Sequence, residues 1–452
     1  MTAKVHVNLM SFTKDAQIYY TLDGSDPTRD SSVFDLSSGL MTLKLDDVDE
    51  GKKDFLIKAI AKKEGYQDSD IATFTYSVSS WSQGEYFYTI LQEKEANSPA
   101  IIRIEDYYQV KMYFVISSES AILIDAGFDK AADLKGLLDT FAEGLPYEAI
   151  ITHAHPDHDA QAQSLIEQGI NVYFNSEDLP TYEQFGGHLT GYTDFKEGHE
   201  FNLGDSRLKA YKIPGHSVGH MVLVDEENGL VFASDAFGNN RNTLLDTAFL
   251  QFGEEESTMN EYLSVIQSFR YAVKGKVQKI FFGHNDHVLG DSYLENLEKA
   301  VQQAVDFGSE ALSPTLRPVE ECFESSEISV VGNYISELDW VGVNLKNIYS
   351  GSYTAENIST LSALFIKNGK LEPLFRPDHE NYVLEVEKDA TEIEIAAVST
   401  SSRVEKILLN GREVESKAIN TIKVNNGMEI AIHIVAPNGI DTNNYQILMK
   451  TI

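Results

Sequence analysis

The stretch Thr152-His153-Ala154-His155-Pro156-Asp157-His158-Asp159 constrains this chain more than any other. Three imidazoles and the Asp157 carboxylate fall within a few positions. They follow the apolar run Ala149-Ile150-Ile151, which reads as a buried strand, and precede residues 160–168, which have helical spacing. Imidazole nitrogen and carboxylate oxygen suit zinc or iron, and a short loop lets several side chains converge on one point. A lone histidine at a strand end is an ordinary hydrogen-bonding residue, and isolated cases such as His188 and His199 are read that way. The grouping H-x-H-x-D-H, in a chain with 12 His, points instead to a metal site.

Such a site needs further ligands, and the chain repeats the same local pattern. Residues 208–213 read as a strand ending in Pro214-Gly215-His216, 230–233 as one ending in Ser234-Asp235, and 279–282 as one ending in Gly283-His284. Each candidate lies just past the C-terminal end of a strand, where open α/β sheets place their sites, so the four stretches can meet at one rim. An earlier strand, 121–124, ends in Asp125-Ala126-Gly127, and the Asp125 carboxylate is placed to orient a ligand or hold the loop. His220 stands close enough to His216 to be its partner, or it is a packed loop histidine. His287, beyond His284, receives little weight. Phe237, Asn240 and Arg241 follow Asp235 on a Gly/Asn-rich loop, where they border a substrate or are simply solvated.

In this order, His153, His155, Asp157, His158, His216, Asp235 and His284 resemble the full ligand set of the metallo-β-lactamase superfamily, in the version used by glyoxalase II-type hydrolases. The resemblance runs from about Trp81 to beyond Pro314 and implies an αββα sandwich (α+β) with two divalent metal ions at one edge. Zinc is the first expectation, with iron or manganese open. By that resemblance His153, His155 and His216 hold one metal, Asp157, His158 and His284 the second, and Asp235 bridges them. Two such cations share a water and lower its pKa from about 16 towards about 7, giving a bridging hydroxide, while Asp157 accepts or returns a proton as the catalytic acid–base. The G-x-S-x-G match Gly215-His216-Ser217-Val218-Gly219 contains the candidate ligand His216 and leads into the apolar run Met221-Val222-Leu223-Val224 rather than a helix, so it does not read as a nucleophile turn, and the one cysteine, Cys322, lies outside the ligand stretches.

The resulting expectation is a dinuclear metal-dependent hydrolase of an ester, thioester, lactone or amide of a small molecule. Two alternatives stay open: a mononuclear-iron persulfide dioxygenase of the same superfamily, and a non-catalytic surface or carbohydrate-binding scaffold. Flavodiiron reductases fit less well, because they place a carboxylate where this chain has His155. The glutathione-binding residues of glyoxalase II have no counterpart, since a β-rich region stands in place of its C-terminal helices.

At 452 residues the chain exceeds one ordinary core and calls for about three domains of ~150 residues each. The net charge of -34 argues against nucleic acid or an anionic membrane as partner. No run of ~18 apolar residues exists, so no membrane span is expected. A single cysteine leaves no internal disulfide, and the N-terminus passes into strand-like sequence without a signal-peptide core. An extracellular or cell-surface setting, with a leader already removed, is favoured over the cytoplasm.

The expected architecture is multidomain: 1–79 an accessory β-sandwich, 80–355 the catalytic domain, 356–452 a second β-sandwich, both flanks immunoglobulin-like and all-β. Residues 16–28 (AQIYYTLDGSDPT) resemble the module appended to chitobiase and hexosaminidase type enzymes. There Tyr19 and Tyr20 are read as sandwich core before sugar platform. Residues 381–387 and 391–395 alternate with period two, and Asn-Gly pairs at 410, 426 and 438 mark turns. This region resembles the cadherin-like repeat of bacterial surface proteins without its calcium motifs, and reads as a spacer, attachment or homodimerisation module. Helices are predicted at 131–141, 262–273 and 293–307, and residues 314–359 either complete the catalytic domain or cover its cleft.

Overall fold

The computed structural model describes residues 4–7, 9, 11, 13, 16–34, 41–44, 52–79, 83–184, 186–238, 249–250, 258–284, 288–308, 330–336, 339–344 and 352–452. Asn240, Arg241, His287 and Cys322 lie outside them. The helices are α1 (Leu134–Ala142), α2 (Pro156–Asp159), α3 (Ala162–Glu167), α4 (Leu179–Gln184), α5 (Met259–Ala272) and α6 (Asp291–Phe307).

Two sheets form the centre. The first runs Thr193–Asp194, Val172–Phe174, Tyr147–Ile151, Ala121–Ile124, Lys111–Ile116, Ala100–Glu105, Phe87–Gln92, parallel at its first end and antiparallel at the other. The second runs Glu200–Asn202, Arg207–Lys212, Met221–Asp225, Leu230–Ser234, Lys279–Phe282. Strands such as Ala121–Ile124 and Leu230–Ser234 are apolar at nearly every position because both of their faces are covered. Ile122, Ile124, Ile150, Leu223, Phe232 and Phe281 interdigitate between the sheets. Leu123, Ala149 and Ile151 face α1 and α3, while Val231, Ala233 and Ile280 face α5 and α6. Four layers, αββα, follow from that alternation.

Local chemistry sets the helix ends. α1 starts three residues later than its spacing predicts, because Asp133 caps it, accepting from Gly136 N at 2.9 Å. The helix predicted over 160–168 begins earlier, at Pro156, whose fixed φ suits a first turn. It breaks at Gln161, whose buried amide donates to Asp129 O at 2.7 Å. α5 opens with a capping box between Thr258 and Glu261.

The flanks are all-β. The N-terminal region pairs Lys4–Val7 with Met41–Lys44 and forms a four-stranded sheet of Ser32–Phe34, Gln17–Thr21, Lys52–Lys62 and Ala72–Ser79. Tyr19 is buried and Tyr20 packs on that core. The C-terminal region stacks a three-stranded sheet (Leu361–Lys367, Glu392–Ser399, Asn420–Lys423) on a six-stranded one. Its Asn410-Gly411 turn has positive φ at both residues, 52° and 78°, as a two-residue hairpin between twisted strands requires. Within 314–359, Val330–Ser336 and Asp339–Asn344 form a hairpin against α6, and Asp339–Asn344 also pairs with Phe249–Leu250 from the stretch that follows Asp235.

The C-terminal sandwich is not a free spacer. Ile358 enters the core around α5 and α6. Ser362 bonds to Gln267, and Gln302 Nε2 donates to Thr400 O at 2.8 Å. The buried Asp306 carboxylate accepts from Ser401 Oγ at 3.0 Å and Ser402 N at 2.8 Å, and Tyr271 stacks on Phe365 with ring centres 3.9 Å apart.

Candidate metal centre

All seven predicted ligands converge at one edge of the sandwich, five from loops that follow strands and two, Asp157 and His158, from the short helix α2. His153 and His155 follow Tyr147–Ile151, Asp157 and His158 sit on α2, His216 follows Arg207–Lys212, Asp235 follows Leu230–Ser234, and His284 follows Lys279–Phe282. They form two groups with ligand atoms within 4.8 Å of one another: His153, His155 and His216; and Asp157, His158 and His284. His155 Nδ1 lies 2.8 Å from His216 Nε2, and His158 Nε2 lies 3.1 Å from His284 Nε2. Asp235 Oδ2 stands between the groups, 3.4 Å from His216 Nε2 and 3.5 Å from both His158 Nε2 and His284 Nε2. Asp157 Oδ2 is 3.1 Å from His284 Nε2 and 3.4 Å from His158 Nε2.

The hydrogen bonds fix which ring nitrogens face the centre. Thr152 Oγ1 donates to Asp125 Oδ1 at 2.8 Å, so it accepts from His153 Nδ1 at 3.0 Å. That leaves a lone pair on His153 Nε2, an atom that is buried with no hydrogen-bond partner among the described residues. His158 Nδ1 donates to Asp125 Oδ2 at 3.0 Å, turning its Nε2 inward as well. Asp125 also accepts from Thr152 N at 2.9 Å and Ser234 Oγ at 2.7 Å, so one carboxylate joins two histidines' surroundings to the end of the Leu230–Ser234 strand. Orphaned or mutually facing imidazole lone pairs in a buried site are what a cation-binding set requires, and the residues fit divalent metals on that ground. Gly283 leaves room for the cluster, because a Cβ there would stand 2.5 Å from His158 Cε1 and 2.6 Å from Asp235 Oδ1.

Charge follows from burial and neighbours. Burial, with other imidazoles around it, holds His153 well below its usual pKa, in the neutral form a ligand needs. Burial opposes the charge on Asp235, yet His284 and His158 outweigh it and hold the carboxyl well below its ordinary range. For His158 burial likewise opposes protonation, but Asp235 and Asp125 push the imidazole up to about 10.

His220 is fully buried, stacks on His153 with ring centres 4.4 Å apart and an interplanar angle of 12°, and places its Nε2 3.2 Å from Ala233 O. It packs face to face beneath His153. Phe237 does not border a substrate: it is fully buried in the core with α5 and α6. His188 and His199 lie exposed, away from the cluster.

Two carboxylates escaped the sequence reading. Asp178, buried, accepts from Ala154 N at 2.7 Å, Ser217 Oγ at 2.8 Å and Gly219 N at 2.7 Å, and so ties the His153–His155 loop to the His216 loop. Asp159 belongs to the motif itself. Its buried Oδ2 has no hydrogen-bond partner among the described residues, and burial pushes its carboxyl up to about 8.

The model of the metallo-beta-lactamase superfamily matches residues 106–284, that of the cadherin-like beta sandwich domain residues 358–451, and one described as Fn3 associated residues 7–76. The chain carries a metallo-β-lactamase superfamily domain, flanked by all-β regions of which the C-terminal one is a cadherin-like β-sandwich domain. Among curated relatives, the lactamase-like protein adaB of Aspergillus niger is 27% identical over 180 residues, which is 34% of this chain and 53% of that protein. The atrochrysone carboxyl ACP thioesterase of Aspergillus chevalieri is 30% identical over 125 residues, covering 27% of this chain and 38% of that protein. The probable metallo-hydrolase YybB of Bacillus subtilis is 25% identical over 144 residues, 30% of this chain and 65% of that protein. The chain thus spans about half the length of the first of these relatives. Among solved structures, DIM-1 metallo-beta-lactamase aligns with a TM-score of 0.39 and 17% identity over 48% of this chain and 98% of that one.

Proposed function

We propose that the chain is a dinuclear metallohydrolase of small-molecule thioesters or esters, with a ligand set of the glyoxalase II type. One observation carries the reading: a three-histidine group and an Asp/His group meet at a single carboxylate oxygen, Asp235 Oδ2, which lies 3.4–3.5 Å from imidazole nitrogens of each. His153, His155 and His216 would hold one divalent cation, Asp157, His158 and His284 the other, with zinc the first candidate for an all-N/O set. When bound, such a pair supplies hydroxide at neutral pH and polarises a carbonyl oxygen.

The protein's own part is positional. Asp125 and Asp178 lock the loops that present the ligands. Asp157, the least enclosed of the carboxylates in the cluster, accepts a proton at Oδ2 and can return it to a leaving thiol or alcohol. A thioesterase among the relatives favours acyl over phosphoryl substrates, as does the charge of -34.

The test is turnover by metal-loaded protein on thioesters, esters, lactones, β-lactams and phosphodiesters. Acyl substrates should be hydrolysed, and Asp157→Asn should lower kcat by about 10²–10⁴-fold. Oxygen uptake on a persulfide with one iron per chain, or no acyl turnover with both sites filled, would defeat the proposal.

A further inference from the structure

We infer that Tyr262 and Tyr293 are positioning residues for Asp235, fixing its carboxylate by holding the two peptide carbonyls that follow it. This rests on the metal-centre reading above. Tyr262 Oη, from α5, donates to Ala236 O at 2.6 Å, and Tyr293 Oη, from α6, donates to Phe237 O at 2.6 Å. Two phenols from two different helices therefore clasp consecutive peptide units immediately after a residue of the centre.

Both rings are buried, at 1% and 0% exposure, in the same core as Ala236 and Phe237. Phenylalanine would fill that volume equally well, so packing alone does not call for tyrosine. What the hydroxyls add is a directional bond to carbonyls that water cannot reach. The turn they hold is tight: Ser234 has φ 48°, Ala236 N donates to Ala233 O at 3.0 Å, and Gly238 N donates to Asp235 O at 3.1 Å. A rotation of this turn would swing Asp235 Oδ2 away from its place between His216 and the His158–His284 pair.

The two helices are suited to the task because they are fixed elsewhere along their length. The C-terminal sandwich grips α5 through the Ser362–Gln267 hydrogen bond and α6 through Gln302 and Asp306, while the Tyr271–Phe365 stack lies beyond these, in the last turn of α5. Tyr262 and Tyr293 stand near the other ends of the same helices, beside the Asp235 turn.

The experiment compares Tyr262→Phe, Tyr293→Phe and the double variant with the unaltered chain, by cobalt(II) titration and by amide hydrogen exchange of residues 236–238 in the metal-free protein. The double variant should fold, hold the second equivalent of cobalt about tenfold more weakly, and exchange those amides faster. Tyr271→Ala, on the same α5 but in contact with the sandwich rather than the turn, should lower Tm while leaving cobalt affinity and exchange at 236–238 unchanged. Unaltered affinity and exchange in the double variant overturn the inference, as does a Tyr271→Ala variant that reproduces both changes. A chain with native tyrosines that takes up fewer than two equivalents overturns the metal reading and this inference together.

Discussion

Asp178 makes three hydrogen bonds to two ligand loops, and none of its partners, Ala154, Ser217 and Gly219, has another role at the centre. Replacing it with alanine strands two buried amides, at roughly 1–3 kcal/mol for each unsatisfied group. Asp178→Ala should therefore lose about 3 kcal/mol or more in urea denaturation and also bind its first metal more weakly. A variant as stable as the parent would show that these bonds are readily replaced by water. Gly283→Ala should leave the fold intact yet abolish uptake of one of two metals, because its Cβ would occupy space held by His158 and Asp235. Unchanged metal content in that variant would contradict the packing described. pH adds a third expectation, for the metal-free protein. Asp159 is held up to about 8 against 3.8, so the native state keeps a proton that the unfolded chain has released between those values. Stability must fall as pH rises through that window. His158, up to about 10 from 6.5, acts with the same sign at higher pH, and Asp235, held low, does not titrate there. His153 and His220, held low by burial, act with the opposite sign only below about pH 7, so Tm should decline from about pH 7 to about 9, and Asp159→Asn should flatten the lower part of the decline. A parent protein whose Tm rises over this range would rule the assignment out.

At the level of elements, the clustering of these seven side chains was legible because most of them stand within a few residues of a strand end, and strand ends are the most local of signals. The residues that hold those ligands in place were not. Asp178 reaches partners 24 and 41 residues away, and Tyr262 one 26 residues away, separations that no periodicity records. Asp159 stood in plain view within the motif, but its burial depends on how α2 packs. Phe237 was misread for a related reason: a Gly/Asn-rich neighbourhood reads as solvent, whereas its ring turns back between α5 and α6. The grip of the C-terminal sandwich was equally hidden, since Ser362, Thr400, Ser401 and Ser402 find partners on α5 and α6 that stand 95–98 residues away in sequence. Asp306→Ala removes the acceptor for that serine pair. It should cost about 2–3 kcal/mol, and a loss below about 0.5 kcal/mol would mean that the polar contacts between the domains contribute little.

For the whole molecule, the multidomain organisation was read from length, strand alternation, turn chemistry and family resemblance, while the packing between domains came only with the structure. A cadherin-like domain seated on α5 and α6 is part of the scaffold behind the metal centre, and the account of function depends on that centre being real. Metal content per chain tests it most directly. The account predicts two divalent cations bound per purified chain, falling below one in His153→Ala/His155→Ala with the fold retained by circular dichroism. A parent chain that binds no metal, or a variant that keeps both, would contradict it.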